Sequence, residues 1–218
     1  EMKIKKHSTG QTKTLSSSGW GDTRFNVIRR IYESNIVKLH ATLGLSVPTG
    51  SISKEDTMIS GSKGTLGYGM QLGTGTYDIL SSLTYLHTRK DFSFGFQSGA
   101  EIRTGENSKN YTVGDKYYTD IWIAKPITEI NSSFSLGLKG ETVGKVDGKH
   151  KEIQSIMSFA QDSESTGYKR INYSAGINHV FSNGTRLALE YQRPLYNNVN
   201  QVQLDTEYSL ILGLQHSF

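Results

Sequence analysis

The strongest constraint on this chain is a two-residue rhythm of oily side chains, clearest in the last stretch, Gln203 to Phe218. Tyr208, Leu210, Leu212, Leu214, His216 and Phe218 fall on one side of that rhythm. Glu207, Ser209, Ile211, Gly213, Gln215 and Ser217 fall on the other, which is mostly small or polar. Successive side chains of a β-strand point to opposite faces, so this is a strand with one oily face. The rhythm recurs upstream. Val37, Leu39, Ala41, Leu43, Leu45 and Val47 alternate with Lys38, His40, Thr42, Gly44 and Ser46. Phe92, Phe94 and Phe96 alternate with Ser93, Gly95 and Gln97, and Phe134, Leu136 and Leu138 with Ser135, Gly137 and Lys139. A strand that stays oily up to a terminal Phe suits a wall with lipid on one side and water on the other.

Ten segments carry this character, at roughly 2–8, 22–32, 36–47, 76–87, 92–103, 115–125, 130–142, 169–181, 185–195 and 203–218. Strands of about 10 residues match what a tilted barrel wall needs to cross a bilayer. The connections carry more information than the strands. Short ones at 33–35, 88–91, 126–129 and 182–184 alternate with long ones at 9–21, 48–75, 104–114, 143–168 and 196–202. Outer-membrane barrels follow that rule, with tight periplasmic turns and longer external loops. Counted back from a periplasmic C-terminus, ten strands also return the N-terminus to the periplasm. Ser182-Asn183-Gly184 reads as a hairpin turn, since Asn-Gly readily takes positive φ. The loop 143–168, with Lys145, Lys149, His150, Lys151, Glu152, Asp162 and Glu164, reads as a solvated, mobile surface segment.

Composition agrees. The 218 residues fit one domain, 1–218, and 23 Gly, 12 Tyr and 8 Phe against 3 Pro suit strands and turns. Mean hydropathy is −0.46, a poor guide for a barrel because lumen and loop residues dilute its lipid-facing half. No run approaches the length of a membrane-spanning helix. The net charge of +4 is spread along the chain, and only Lys3, Lys5 and Lys6 cluster, so no basic stripe for nucleic acid is visible. Without cysteine there are no disulfides and no thiolate metal sites. The first residue is Glu1, which fits a processed or truncated exported precursor.

Candidate chemistry is sparse. His7, His40, His87, His150, His179 and His216 show no metal-ligand spacing, so neither a metal nor another cofactor is expected. Leu72-Gly73-Thr74-Gly75-Thr76 lacks the helix that a phosphate-cradling loop feeds, and reads as a structural loop. No serine sits on a nucleophile elbow. His87 with Asp91, and His179 with Ser182, read as turn and interface residues, so no enzymatic activity is expected. What remains is the inward set, of which Lys38, His40, Glu101, Arg103, Asp120, Lys139, Glu141, Arg186 and Glu190 are the expected lumen lining. Two readings follow: a polar conduit that sorts solutes, or an ion-pair lattice that fills a narrow barrel.

Several motifs, in order, resemble one bacterial family. They are Gly21-Asp22-Thr23-Arg24, Leu43 to Ser51 (LGLSVPTGS), Gln71 to Asp78 (QLGTGTYD), Gly114-Asp115, Arg186 to Glu190 (RLALE), and Pro194-Leu195-Tyr196 onward through Asn200 and Gln203-Leu204-Asp205-Thr206 to Phe218. Together, from about Gly19, they are similar to the outer-membrane transporters named after the phenol meta-cleavage pathway. The resemblance implies an outer-membrane barrel linked to uptake of hydrophobic or aromatic compounds. Members often carry a Met- and His-rich segment upstream, of which only Met2 and His7 could be the fringe, so no metal role passes to this chain. Further upstream sequence could add a hairpin and make twelve strands.

The expectation is therefore an all-β, antiparallel up-and-down transmembrane β-barrel in a bacterial outer membrane, with about ten strands here. It would give passive passage to a small solute through a narrow polar lumen, with outer-membrane lipid and lipopolysaccharide around it. The alternative is a plugged structural or assembly barrel whose loops 48–75 and 143–168 bind a protein partner. Two rivals make other demands: a soluble lipocalin-like carrier needs its oily residues inside, and a rim hydrolase needs a nucleophile.

Overall fold

The structure is a computed structural model that describes residues 2–5, 10–153, 158–204 and 206–216, the first four as backbone. His7, Asp205, Ser217 and Phe218 lie outside the described residues. In chain order the strands are β1 (Met2–Lys5), β2 (Thr12–Leu15), β3 (Thr23–Glu33), β4 (Val37–Val47), β5 (Glu55–Thr57), β6 (Lys63–Thr65), β7 (Asp78–Thr88) and β8 (Ser93–Arg103). There follow β9 (Tyr111–Thr112), β10 (Lys116–Ile127), β11 (Ser132–Val143), β12 (Asp147–Gly148), β13 (Tyr168–Val180), β14 (Thr185–Val199) and β15 (Ser209–His216). The helices described are short 3-10 turns, and none is long and apolar enough to cross a membrane.

The long strands join in one antiparallel sheet, ordered β3-β4-β7-β8-β10-β11-β13-β14-β15. Each pairs with its neighbours in the chain, the up-and-down meander expected. Of the ten expected segments, nine are in this sheet. The first is the exception: β1 pairs with β2 in a separate two-stranded ribbon. Among the described residues the sheet's two edges, β3 and β15, do not pair with each other.

Register shows which face is which. One ladder row runs Leu210, Tyr191, Ala175, Leu136, Ile123, Phe94, His87 and Val37. The row two residues along β15 runs Leu212, Leu189, Ile177, Phe134 and Lys125. Both lie on the convex side. Leu43, Phe94 and Leu212 are 65%, 38% and 72% exposed, whereas the Arg103 side chain is 8% exposed and that of Asp78 is 0%. Polar side chains are covered and oily ones are bare, the reverse of a soluble protein and of a lipocalin-like carrier.

The long and short connections alternate as expected. Turns at 34–36, 89–92, 128–131 and 181–184 mark one end, called here the turn end. Segments 48–77, 104–115, 144–167 and 200–208 mark the other, the loop end. At 181–184 only Gly184 takes positive φ (79°), and Phe181 and Thr185 close the hairpin. Ser182-Asn183-Gly184 is thus the hairpin turn expected, a three-residue one in which the glycine alone is left-handed.

The loops differ from their expectation. Apart from Leu80, every buried apolar side chain described lies off the main sheet: Leu15, Ile52, Met58, Leu66, Tyr111, Val146 and Ile153. Leu15, Met58 and Leu66 pack together with Met70 and Ala160, which ties segment 48–77 to segment 144–167. The latter is thus no free surface segment. Its charged residues do face water, but Val146, His150, Ile153, Gln161 and Ser165 anchor it in a cap over the loop end.

Candidate channel lumen

The concave face of the sheet encloses a polar interior. Its curl is visible in one contact. Arg24 on β3 and Glu101 on β8 are separated in the wall by β4 and β7, yet their side chains meet at 3.1 Å. With strands about 4.8 Å apart, only a strongly curved sheet brings those side chains together.

From there a lattice of charges fills the loop-side half. Arg103 Nη1 donates to Asp78 Oδ2 at 2.8 Å, and Arg103 Nη2 lies 3.5 Å from Glu101 Oε2. Asp78 also accepts from the hydroxyls of Thr76 and Thr74. Asp22 accepts from the backbone N–H groups of Gly50 and Thr74, so the QLGTGTYD stretch is pinned by carboxylates. That explains the Gly-rich run as a structural loop: a Cβ on Gly50 would lie 2.6 Å from the Leu72 carbonyl oxygen. Next along the wall, Lys116 lies 3.4 Å from Glu141, which also accepts from the Tyr168 hydroxyl. The Arg170 guanidinium sits over the Tyr168 ring.

Towards the turn end the wall becomes hollow. A cavity of about 550 Å³ is lined mostly from β10, β11, β13 and β14, with Leu86 of β7 and Ser93 of β8 at its side, and includes Trp122, Ser133, Ser135, Ser174 and Asn178. Asp120, Lys139, Arg186 and Glu190 also face it. Small residues make this room, and glycines also make room for rings. Trp122 and Gly95 are ladder partners, and a Cβ on Gly95 would lie 2.0 Å from the indole. Tyr118 covers Gly99 in the same way.

All nine expected lining residues lie on inward ladder positions of the strands or at their ends, but they do not form one set. Glu101, Arg103 and Glu141 belong to the paired lattice. Asp120, Lys139, Arg186 and Glu190 surround the cavity. Lys38 lies near the turn end, 3.4 Å from Glu33. His40 is half-buried between Arg30 and Thr84 in the ladder. Reading by sequence passed over Asp78, Lys116, Tyr118, Trp122, Tyr168 and Arg170 as lining. The signal for the aromatics was present: an inward Trp or Tyr opposite an inward Gly on the adjacent strand marks a ring that lies flat.

The cap is stitched by aromatic and amide contacts. His150 stacks on Tyr111 with centroids 5.6 Å apart, and Tyr68 meets Tyr111 edge-on at 5.1 Å. His150 N–H donates to the Tyr68 hydroxyl, and Gln161 Nε2 donates to the Thr65 carbonyl. Burial pushes the Tyr111 phenol up to about 12 and also raises that of Tyr68. Backbone N–H groups of Ser16 and Thr57 hold the Asp56 carboxyl below its usual range. Lys109, hydrogen-bonded to Glu152, does the same for that carboxylate.

No curated protein matches this chain. It is similar in fold to the crystal structure of the COG4313 outer membrane channel from Pseudomonas putida F1, with a TM-score of 0.62 at 16% identity. The match covers 89% of this chain and 64% of that one, so the chain spans somewhat under two thirds of the channel's length. The all-β, antiparallel, up-and-down architecture is thus that of an outer-membrane channel barrel. A family model matches residues 2–210, nearly the whole sequence, and on that match the chain belongs to the family described as "Putative MetA-pathway of phenol degradation".

Proposed function

We propose that this chain forms the wall of a channel in a bacterial outer membrane and gives passive passage to a small solute, with no bond-making step. One observation carries the reading: oily side chains are bare on the convex face while charged ones are gathered on the concave face. A bilayer rewards the first and a water-filled lumen the second. The likeness to an outer-membrane channel supports it. The lumen is narrow and polar, lined by Asp120, Lys139, Arg186 and Glu190 in its wider half. Outer-membrane lipid and lipopolysaccharide surround the convex face.

The test is single-channel recording in planar bilayers. Steady current is expected, with Lys139→Gln raising cation preference and Asp120→Asn lowering it. A silent bilayer, with insertion verified, overturns the reading.

A second reading has its own observation. The packed cap over the loop end and the Arg24–Glu101 contact across the interior favour a plugged barrel whose loops present a surface to a protein partner. It predicts silence in the same recording, and current once Arg24 and Glu101 are both neutralised and segment 144–167 is shortened.

A further inference from the structure

The charges of the interior fall into two groups that are held differently. On the loop side opposite charges satisfy each other: Arg24 with Glu101, Arg103 with Asp78, Lys116 with Glu141. Around the 550 Å³ cavity stand two acids, Asp120 and Glu190, and two bases, Lys139 and Arg186. Among the described residues none of these four is in an ion pair. Asp120 and Lys139 are direct ladder partners, yet the ammonium of Lys139 lies over the Tyr118 ring, 5.8 Å from its centroid. Arg186 donates to Asn178 Oδ1 at 2.7 Å, and Gln192 Nε2 donates to Glu190. Neutral groups therefore pin three of the four charges, and no hydrogen bond is described for the Asp120 carboxylate.

Charges held apart from their counter-charges in a partly desolvated space are costly unless water or a ligand meets them. An apolar solute would strip water from all four. A solute of one sign would leave two charges unmatched, and a polyol would supply hydrogen bonds but no charge. The cavity also has an entrance. A second pocket of about 630 Å³ at the turn end shares Ser133, Asn178 and Arg186 with it. Its size is within the range of roughly 300–1,000 Å³ typical of small-molecule sites.

We infer that this half of the lumen is a binding site for a small zwitterion, entered from the turn end, with its ammonium towards Asp120 and Glu190 and its carboxylate towards Arg186 and Lys139. The inference deepens the channel reading and rests on it, since a membrane-spanning wall is what keeps this concave face wet.

The experiment is calorimetric titration of the refolded protein in detergent with γ-aminobutyrate, butyrate, butylammonium and erythritol, beside bilayer recording of the same preparation. γ-Aminobutyrate is expected to bind at least about tenfold more tightly than the other three, about 1.4 kcal/mol. Glu190→Gln and Arg186→Gln should each erase that preference. Equal binding of all four probes, or no binding of any, overturns the site, and so does a preference that survives both substitutions. Current without the preference leaves the channel standing and removes the site; the preference without current does the converse.

Discussion

At the residue scale the interior rests on a few unequal partnerships. Asp78 is fully buried and accepts from Arg103, Thr74 and Thr76, so its removal leaves the buried guanidinium only the longer contact to Glu101. Breaking one side of a buried pair typically costs about 3–5 kcal/mol, far more than an exposed pair is worth. Asp78→Ala is therefore expected to lower stability by about that much in denaturant unfolding from detergent. Glu33→Ala, whose partner Lys38 is half in water, should change it by less than about 1 kcal/mol. Equal effects would refute this ranking. Spacing alone revealed that both Asp78 and Arg103 sit at strand ends, but not that they meet. That contact depends on the β7–β8 register, in which Asp78 and Arg103 are ladder partners.

At the scale of elements the strands were legible and the loops were not. Alternation is a local property, visible wherever five or six residues keep the period, and nine wall strands follow it. The cap has no such period. Its buried residues are scattered singly, as at Ile52, Met58, Leu66, Tyr111 and Ile153, among charged and small neighbours. Only tertiary contact brings them together, so a segment as charged as 144–167 reads as solvated until Tyr111 and His150 are seen to stack. This cap should loosen in alkali. The Tyr111 phenol is raised from 10.0 to about 12, so its contribution to stability is complete below about pH 10 and is lost as pH rises through about 12. Ultraviolet titration should show a late tyrosinate step whose amplitude falls in Tyr111→Phe, together with loss of near-ultraviolet circular dichroism from the cap. A titration unchanged by that substitution would place the late step elsewhere.

At the scale of the whole molecule the inside-out distribution dominates. Leu43, Leu136, Leu212 and Leu214 lie bare on one continuous convex surface, with Phe94 and Phe134 among them. Soluble proteins rarely expose such a field. The folded chain is expected to stay monodisperse in detergent or lipid and to precipitate when the amphiphile is withdrawn, as judged by size-exclusion chromatography with light scattering. A stable monomer in plain buffer would favour the soluble carrier.

The order of the wall strands has one further consequence, a matter of parity. Neighbours in the sheet reverse direction, so β3 and β15, first and ninth, both descend from the loop end to the turn end. A ring made solely of antiparallel neighbours must contain an even number of members, as single-chain bacterial barrels do. Joining β3 directly to β15 would thus create one parallel seam in an otherwise antiparallel wall. A seamless cylinder calls instead for an odd number of further strands between them, the first and last ascending, which would widen the bore by the same insertion that seals it.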